Sequence, residues 1–202
     1  ESSGFDGFMS IGADRIVEED LERLHDAMPY GVFIDVNPAP GLFDSVQPDL
    51  QQTVHDAVAA CGAEGMKSVG FIGGKGCLMN FYELDEENRA TYFRREVKRF
   101  GLDAEGLIYS DGLFTVENGR RLGERFVHDH NGALPDAVII AADVIAVGVL
   151  QAFNASGVLV PRDISVISIN NQMIAQLTSP PLSTFVIDQS ELARVAILTL
   201  AD

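Results

Sequence analysis

Polar side chains that could recognise hydroxyl groups stand where predicted strands end. Asp35 closes one apolar run, Asp143 follows a second run at 136–142, and Asn170 follows a third at 164–169. A carboxylate accepts paired hydrogen bonds from neighbouring hydroxyl groups, and an asparagine amide both donates and accepts. Ligands of parallel α/β sheets bind beyond the carboxyl ends of the strands. These positions therefore predict a ligand site.

Two of these acids have a structural alternative. Asp35 could be an ordinary aspartate at a strand end that caps the following turn. Asp143 is a candidate ligand contact, but helix capping is the favoured interpretation because it directly precedes a run of helical spacing.

The elements that must position these residues alternate regularly between strand and helix. The stretch 135–188 alone reads as strand, helix, strand, loop and strand, with Gly157 as a helix stop. Such alternation predicts an α/β protein with doubly wound parallel sheets and helices on both faces. The other predicted strands lie at 5–11, 32–36, 68–72 and 107–109, and the predicted helices at 13–28, 49–62, 85–100, 115–131, 144–153 and 189–200.

Composition restricts the class of partner. The 202 residues include 14 Lys and Arg against 30 Asp and Glu, a net charge of −16, so the chain is a poor DNA binder by itself. Cys61 and Cys77 do not form a disulfide framework and favour a reduced, cytoplasmic setting. No apolar run approaches about 20 residues, so we expect no membrane span.

Other motifs predict no catalytic chemistry. The turn Gly73-Gly74-Lys75-Gly76 is similar to a phosphate-binding loop, but Cys77 stands where such loops need Ser or Thr. We interpret it as a flexible turn. The four histidines form no metal-ligand pattern, and no nucleophile and base can be assembled from motifs. We therefore expect no enzyme activity, no cofactor and no metal.

Three runs carry a family resemblance. They are A-x-D-x-x-A-x-G at 141–148, G-V-x-V-P-x-D-I-S-V-I at 157–167 and T-S-P-P-L-S-T at 178–184. In this order and spacing the chain resembles the effector-binding core of the LacI/GalR transcription regulators, from Asp6 onward. The resemblance implies a periplasmic-binding-protein-like type I fold, with two doubly wound parallel-sheet lobes and a ligand cleft between them.

The resemblance also implies a domain division. Residues 1–67 would form a partial N-terminal lobe, residues 68–182 the C-terminal lobe, and residues 183–202 a crossover with a helix that returns to the first lobe. A family core has two further βα units before the strand at 5–11 and further strands after the last helix. The chain is therefore expected to be a fragment with an incomplete first lobe.

By resemblance, the ligand-binding residues are Arg89, Asp35, Asn170, Phe114 and Asp143. Arg89 begins the run Arg-Ala-Thr-Tyr-Phe and would donate to sugar hydroxyls, unless it is a solvated helix residue paired with Glu86. Phe114 would stack on a sugar ring, unless it only packs against the next helix. Ala142 stands where many relatives carry Asn, and Asn170 where they carry Asp or Asn.

The function implied is that of a ligand-sensing domain of a bacterial transcription regulator, a repressor. Its effector would be a sugar or a similar small molecule. It would contact operator DNA through a headpiece that is not in this chain, as a homodimer, without a membrane. The alternative is a solute-binding protein of a sugar transport system, and a third possibility is an enzyme on a doubly wound fold.

Overall fold

The structure is a computed structural model that describes residues 4–12, 16–75, 88–130 and 132–201. Cys77, Glu86 and the start of the helix predicted from residue 85 lie outside the described residues. Two compact units divide the chain. Unit 1 comprises residues 1–49 and 188–202, and unit 2 comprises residues 50–187.

The described elements follow the predicted alternation of strand and helix. The strands are β1 (Phe8–Ile11), β2 (Gly31–Ile34), β3 (Asp44–Val46), β4 (Val69–Gly73), β5 (Ile108–Ser110), β6 (Ala137–Ile140), β7 (Ser165–Asn170) and β8 (Ser183–Val186). The helices are α1 (Glu18–Ala27), α2 (Leu50–Ala63), α3 (Asn88–Phe100), α4 (Val116–Asp129), α5 (Asp143–Ala155), α6 (Met173–Gln176) and α7 (Gln189–Ala201). β3 and α6 are short elements that the sequence did not predict.

Unit 2 is built on a five-stranded parallel sheet of order β5-β4-β6-β7-β8. The strands β4 and β6 are buried at every residue, as a sheet covered on both faces requires. One face packs against α4 and α5, with Leu122, Phe126 and Ile145 in the core. The other packs against α2 and α3, with Val58 and Phe93. The predicted doubly wound arrangement is confirmed.

Unit 1 contains a three-stranded parallel sheet of order β1-β2-β3. On one face Phe33 packs with Leu21 of α1 and with Phe43. On the other face Val32 packs with Ala196 of α7. The unit therefore also has helices on both sides of its sheet.

The division between the units differs from the boundary expected near residue 67. α2 belongs to unit 2 because its apolar face, which includes Val54 and Cys61, packs into the same core as Phe71 of β4. Residues 183–187 also lie in unit 2, because β8 pairs with β7.

Helices α4 and α5 pack in direct backbone contact. A Cβ atom added to Gly148 would lie 2.0 Å from the carbonyl oxygen of Val116, and one added to Gly119 would lie 2.1 Å from that of Ile145. Distances this short cannot be relieved by a side-chain rotation, because the opposing atoms belong to the backbone. Glycine is therefore required where the two helices cross.

We predict that Gly148→Ala lowers the free energy of unfolding by roughly 1–3 kcal/mol, because overpacking outweighs the better helix propensity of alanine. The matched control is Gly62→Ala in α2, where the added Cβ would lie 3.8 Å from Phe100 Cδ1, an ordinary contact. It should raise the free energy of unfolding by up to about 1 kcal/mol. Urea unfolding followed by circular dichroism measures both. Equal effects of the two substitutions would contradict the close crossing.

Candidate functional site

The carboxyl ends of the unit 2 strands lie at one edge of the sheet. β4 ends at Gly73, β5 at Ser110, β6 at Ile140 and β7 at Asn170. Because all of these strands are parallel, the segments that follow them start from the same edge. We call this edge the carboxyl edge, and it is the candidate site of unit 2.

Arg89 and Phe114 contact each other at the carboxyl edge. The Cζ atom of Arg89 lies 5.6 Å from the centroid of the Phe114 ring, in a cation–π contact. Arg89 is near the start of α3, and Phe114 lies in the connection between β5 and α4. Both side chains are partly exposed. The structure thus brings together a guanidinium group and an aromatic face that the sequence predicted for one site.

The Phe114 ring also has a packing role, which was the structural alternative for this residue. It contacts the hydrophobic cores on both faces of the sheet. A Cβ on Gly74 would lie 2.8 Å from Phe114 Cδ2, so the turn after β4 needs glycine beside the ring. The backbone N–H of Lys75 donates to the carbonyl oxygen of Gly112 at 2.7 Å, which joins the two connections. Gly76 of the glycine-rich turn lies outside the described residues.

Asn118 orders the loop that carries Phe114, a role that the sequence did not predict. Its buried amide Nδ2 donates to the carbonyl oxygens of Asp111 at 2.7 Å and of Leu113 at 2.8 Å. Its backbone N–H donates to the hydroxyl of Thr115, which caps α4. The only sequence signal was an asparagine three residues after a capping threonine.

The position of α3, which carries Arg89, depends on a buried carboxylate. Glu96 is only 2% exposed and accepts hydrogen bonds from His55 Nδ1 of α2 at 2.8 Å and from Arg95 Nε at 2.9 Å. The hydrogen bond from His55, followed by that from Arg95, lowers the pKa of Glu96 below its usual value. This charged group therefore joins α3 to α2 at neutral pH.

Asn170 is held in an unusual backbone conformation at the end of β7. Its φ is 108°, and that of Asn171 is 52°. Asparagine tolerates positive φ better than most residues, but the conformation still has a cost in free energy. Strained backbone of this kind concentrates at ligand sites. Asn170 is half-buried at the carboxyl edge, where its amide could donate to and accept from a ligand.

Asp143 is fully buried, and its carboxylate is bound by protein donors. Oδ2 accepts from the backbone N–H of Gln172 at 2.6 Å, and Oδ1 accepts from the hydroxyl of Thr184 at 2.8 Å. The prediction that Asp143 caps a helix is wrong. It is the first residue of α5, the N-cap is Ala142, and the carboxylate reaches the segments after β7 and in β8 instead.

Asp35 belongs to unit 1. It follows β2, is exposed, and has a φ of 77°. Its backbone N–H donates to the carbonyl oxygen of Val46 at 2.9 Å, which extends the pairing with β3. This is a further polar residue with positive φ directly after a parallel strand. Its role in ligand binding stays a prediction.

Other reactive side chains of the described residues serve packing. Burial raises the pKa of the Cys61 thiol to about 11, so it is an inert thiol. Burial and the hydrogen bond to Asp129 raise the pKa of Tyr109 to about 12. Within the described ranges, no His, Cys, Asp and Glu side chains cluster in a way that could hold a metal ion. No described helix has both the length and the apolar composition to cross a bilayer.

The profile of the periplasmic binding protein-like domain matches residues 58–202, most of the chain. The chain belongs to this family. As a periplasmic binding protein-like domain it has relatives among transcription regulators. LacR, an HTH-type transcriptional regulator of Lactobacillus helveticus, is 41% identical over 199 residues, which are 98% of this chain and 59% of LacR.

Two further comparisons agree. GanR, an HTH-type transcriptional regulator of Bacillus subtilis (strain 168), is 40% identical over 197 residues, 98% of this chain and 59% of GanR. The structure of a sugar-binding transcriptional regulator of the LacI family from Escherichia coli, complexed with phosphate, is 25% identical with a TM-score of 0.78. It covers 96% of this domain and 68% of that chain. The predicted LacI/GalR resemblance and the fold are confirmed, and the domain spans 59% of LacR and of GanR.

The backbone at Asn170 gives a stability prediction. Asn170→Ala should lower the free energy of unfolding by about 1 kcal/mol, because alanine disfavours positive φ, whereas Asn170→Gly should leave it nearly unchanged. The control is Asn154, an exposed residue of α5. In a helix alanine is favoured over glycine, so Asn154→Ala should have a free energy of unfolding about 1 kcal/mol higher than that of Asn154→Gly. Urea unfolding measures all four variants. The same order at both positions would contradict the strained conformation of Asn170.

Proposed function

We propose that this chain is the ligand-sensing domain of a bacterial transcription regulator, a repressor, and that its ligand is a sugar or a similar small molecule. The observation that carries the proposal is the contact of Arg89 with Phe114 at the carboxyl edge, where Asn170 also lies. LacR and GanR are named as HTH-type transcriptional regulators, and the Escherichia coli neighbour is named as sugar-binding. All three comparisons support the same conclusion.

Each group suits one part of a sugar. The guanidinium of Arg89 has several donors in a fixed plane and can bind neighbouring hydroxyl groups together. The ring of Phe114 can stack on the apolar face of a pyranose, while the amide of Asn170 can donate to one hydroxyl and accept from another. Asp35 is proposed to accept hydrogen bonds from ligand hydroxyls. Asp143 has no exposed carboxylate, so its contribution to the site is indirect.

The ligand would control DNA binding by shifting a conformational equilibrium. A ligand shifts such an equilibrium only through its different affinities for the two states, and couplings of about 1–3 kcal/mol are typical. The net charge of −16 disfavours contact of this chain itself with phosphates. We therefore propose that operator DNA is contacted by a headpiece outside this chain, in a cytoplasmic homodimer.

The two alternative functions are less well supported. A solute-binding protein of a sugar transport system would share the fold, but relatives that match 98% of this chain at 41% and 40% identity are regulators. An enzyme would need a nucleophile or an acid–base pair, and the relatives compared are not named as enzymes.

Sugar binding tests the proposal directly. The chain should be titrated with glucose, galactose, lactose, sucrose, glucose 6-phosphate and adenosine, and thermal unfolding followed by fluorescence. A ligand at 100 times its Kd should stabilise the folded state by roughly 2.7 kcal/mol. Arg89→Ala should weaken binding of the selected sugar at least tenfold, because a hydrogen bond to a charged group contributes about 1.5–3 kcal/mol.

The matched control is Arg125→Ala. Arg125 also makes a cation–π contact, with its Cζ atom 5.2 Å from the Tyr109 centroid, but it lies in the C-terminal half of α4, away from the carboxyl edge. This variant should bind the sugar as the wild type does. If no sugar binds, or if Arg89→Ala binds as tightly as the wild type, the proposed site is wrong.

A further inference from the structure

The backbone turn that presents Asn170 depends on a chain of hydrogen bonds from behind the site. The backbone N–H of Asn171 donates to the hydroxyl oxygen of Thr184 at 3.1 Å. That hydroxyl donates to Oδ1 of Asp143 at 2.8 Å, and Oδ2 of Asp143 accepts from the N–H of Gln172 at 2.6 Å. The chain of bonds starts and ends on adjacent residues of the same turn. We call Asp143 and Thr184 the brace.

We propose that the brace positions Asn170 for ligand recognition, so that Asp143 and Thr184 are positioning residues of the site. The inference rests on the proposed function, because it assigns a role in the same site. It replaces the predicted direct contact of Asp143 with the ligand. The carboxylate of Asp143 is 0% exposed, so its role is to fix the residues that the ligand meets.

The energetics of a buried charge make the brace rigid. A carboxylate removed from water is costly unless donors replace the lost hydration. Both donors to Asp143 come from outside α5, one from the turn after β7 and one from β8. A movement of the turn after β7 would take the Gln172 N–H away from the buried carboxylate. The cost in free energy would be larger than that of losing an exposed hydrogen bond. This penalty opposes relaxation of the positive φ values at Asn170 and Asn171.

Few side chains can replace Thr184 in the brace. Its single oxygen accepts from Asn171 and donates to Asp143 at the same time. Serine can do both, whereas valine has the shape of threonine and can do neither. Thr184→Ser and Thr184→Val together therefore distinguish the effect of the hydroxyl group from the effects of side-chain shape and β propensity.

The experiment compares Thr184→Val, Thr184→Ser and a matched control, Thr178→Val. The single O–H of Thr178 is shared between the carbonyl oxygens of Ala175 at 3.0 Å and Pro180 at 2.8 Å, and neither acceptor belongs to the turn after β7. Amide hydrogen exchange at Asn171 and Gln172 is measured by NMR without sugar. Affinity for the selected sugar among glucose, galactose, lactose and sucrose is measured by calorimetry.

We expect Thr184→Val to speed exchange at Asn171 and Gln172 at least tenfold and to weaken sugar binding about tenfold, as loss of one charge-assisted hydrogen bond would. Thr184→Ser should restore both, and Thr178→Val should change neither. Unchanged exchange in Thr184→Val would overturn the brace. Faster exchange with unchanged affinity would overturn its role in positioning.

The brace and the proposed function can fail independently of each other. If the wild type binds none of the sugars, the proposed function fails, and the exchange rates alone decide whether the brace exists. If the wild type binds and Thr178→Val loses affinity as much as Thr184→Val does, the effect is one of general stability. In that case the brace is not a positioning device.

Discussion

The carboxylate of Asp143 has no access to solvent, so its charge depends on hydrogen bonds that other segments of unit 2 donate. Those donors are the amide of Gln172 and the hydroxyl of Thr184, 29 and 41 residues further along the chain. One buried group thus joins the start of α5, the turn after β7 and the strand β8. Burial of this charge is compatible with the fold only while all three segments keep their places, which fixes one side of the carboxyl edge.

The other side of the carboxyl edge is fixed by packing and by amide hydrogen bonds. Phe114 is placed between the two cores of unit 2, and the buried amide of Asn118 orders the loop around it. Arg89 lies over the Phe114 ring, on a helix that Glu96 joins to α2. The buried side chains of Asn118 and Glu96 therefore fix the positions of Phe114 and Arg89, the partly exposed groups that a ligand could contact. Such an arrangement would reduce the entropy lost when a ligand binds, which suits the proposed sugar site.

Periodicity was sufficient to predict the doubly wound fold, because continuous apolar runs such as 137–142, alternating with helices that have an apolar face, are typical of a parallel sheet covered by helices. It also placed Arg89, Phe114 and Asn170 near strand or helix ends. It could not predict the partners of Asp143, which depend on tertiary contacts between distant segments, and capping was the simpler local interpretation. For the same reason α2 was assigned to the first lobe, although its apolar face packs in unit 2. The backbone contact at Gly148 has no local signal at all.

The central claim is that the carboxyl edge of unit 2 binds a sugar. The most direct test is an NMR titration of the isotope-labelled chain with the selected sugar, in which backbone amide shifts are followed residue by residue. We expect the largest shifts at residues 73–75, 112–115 and 170–172, with the amino ends of the same strands nearly unchanged. Shifts centred at those amino ends, or no saturable shifts with any of the sugars, would contradict it.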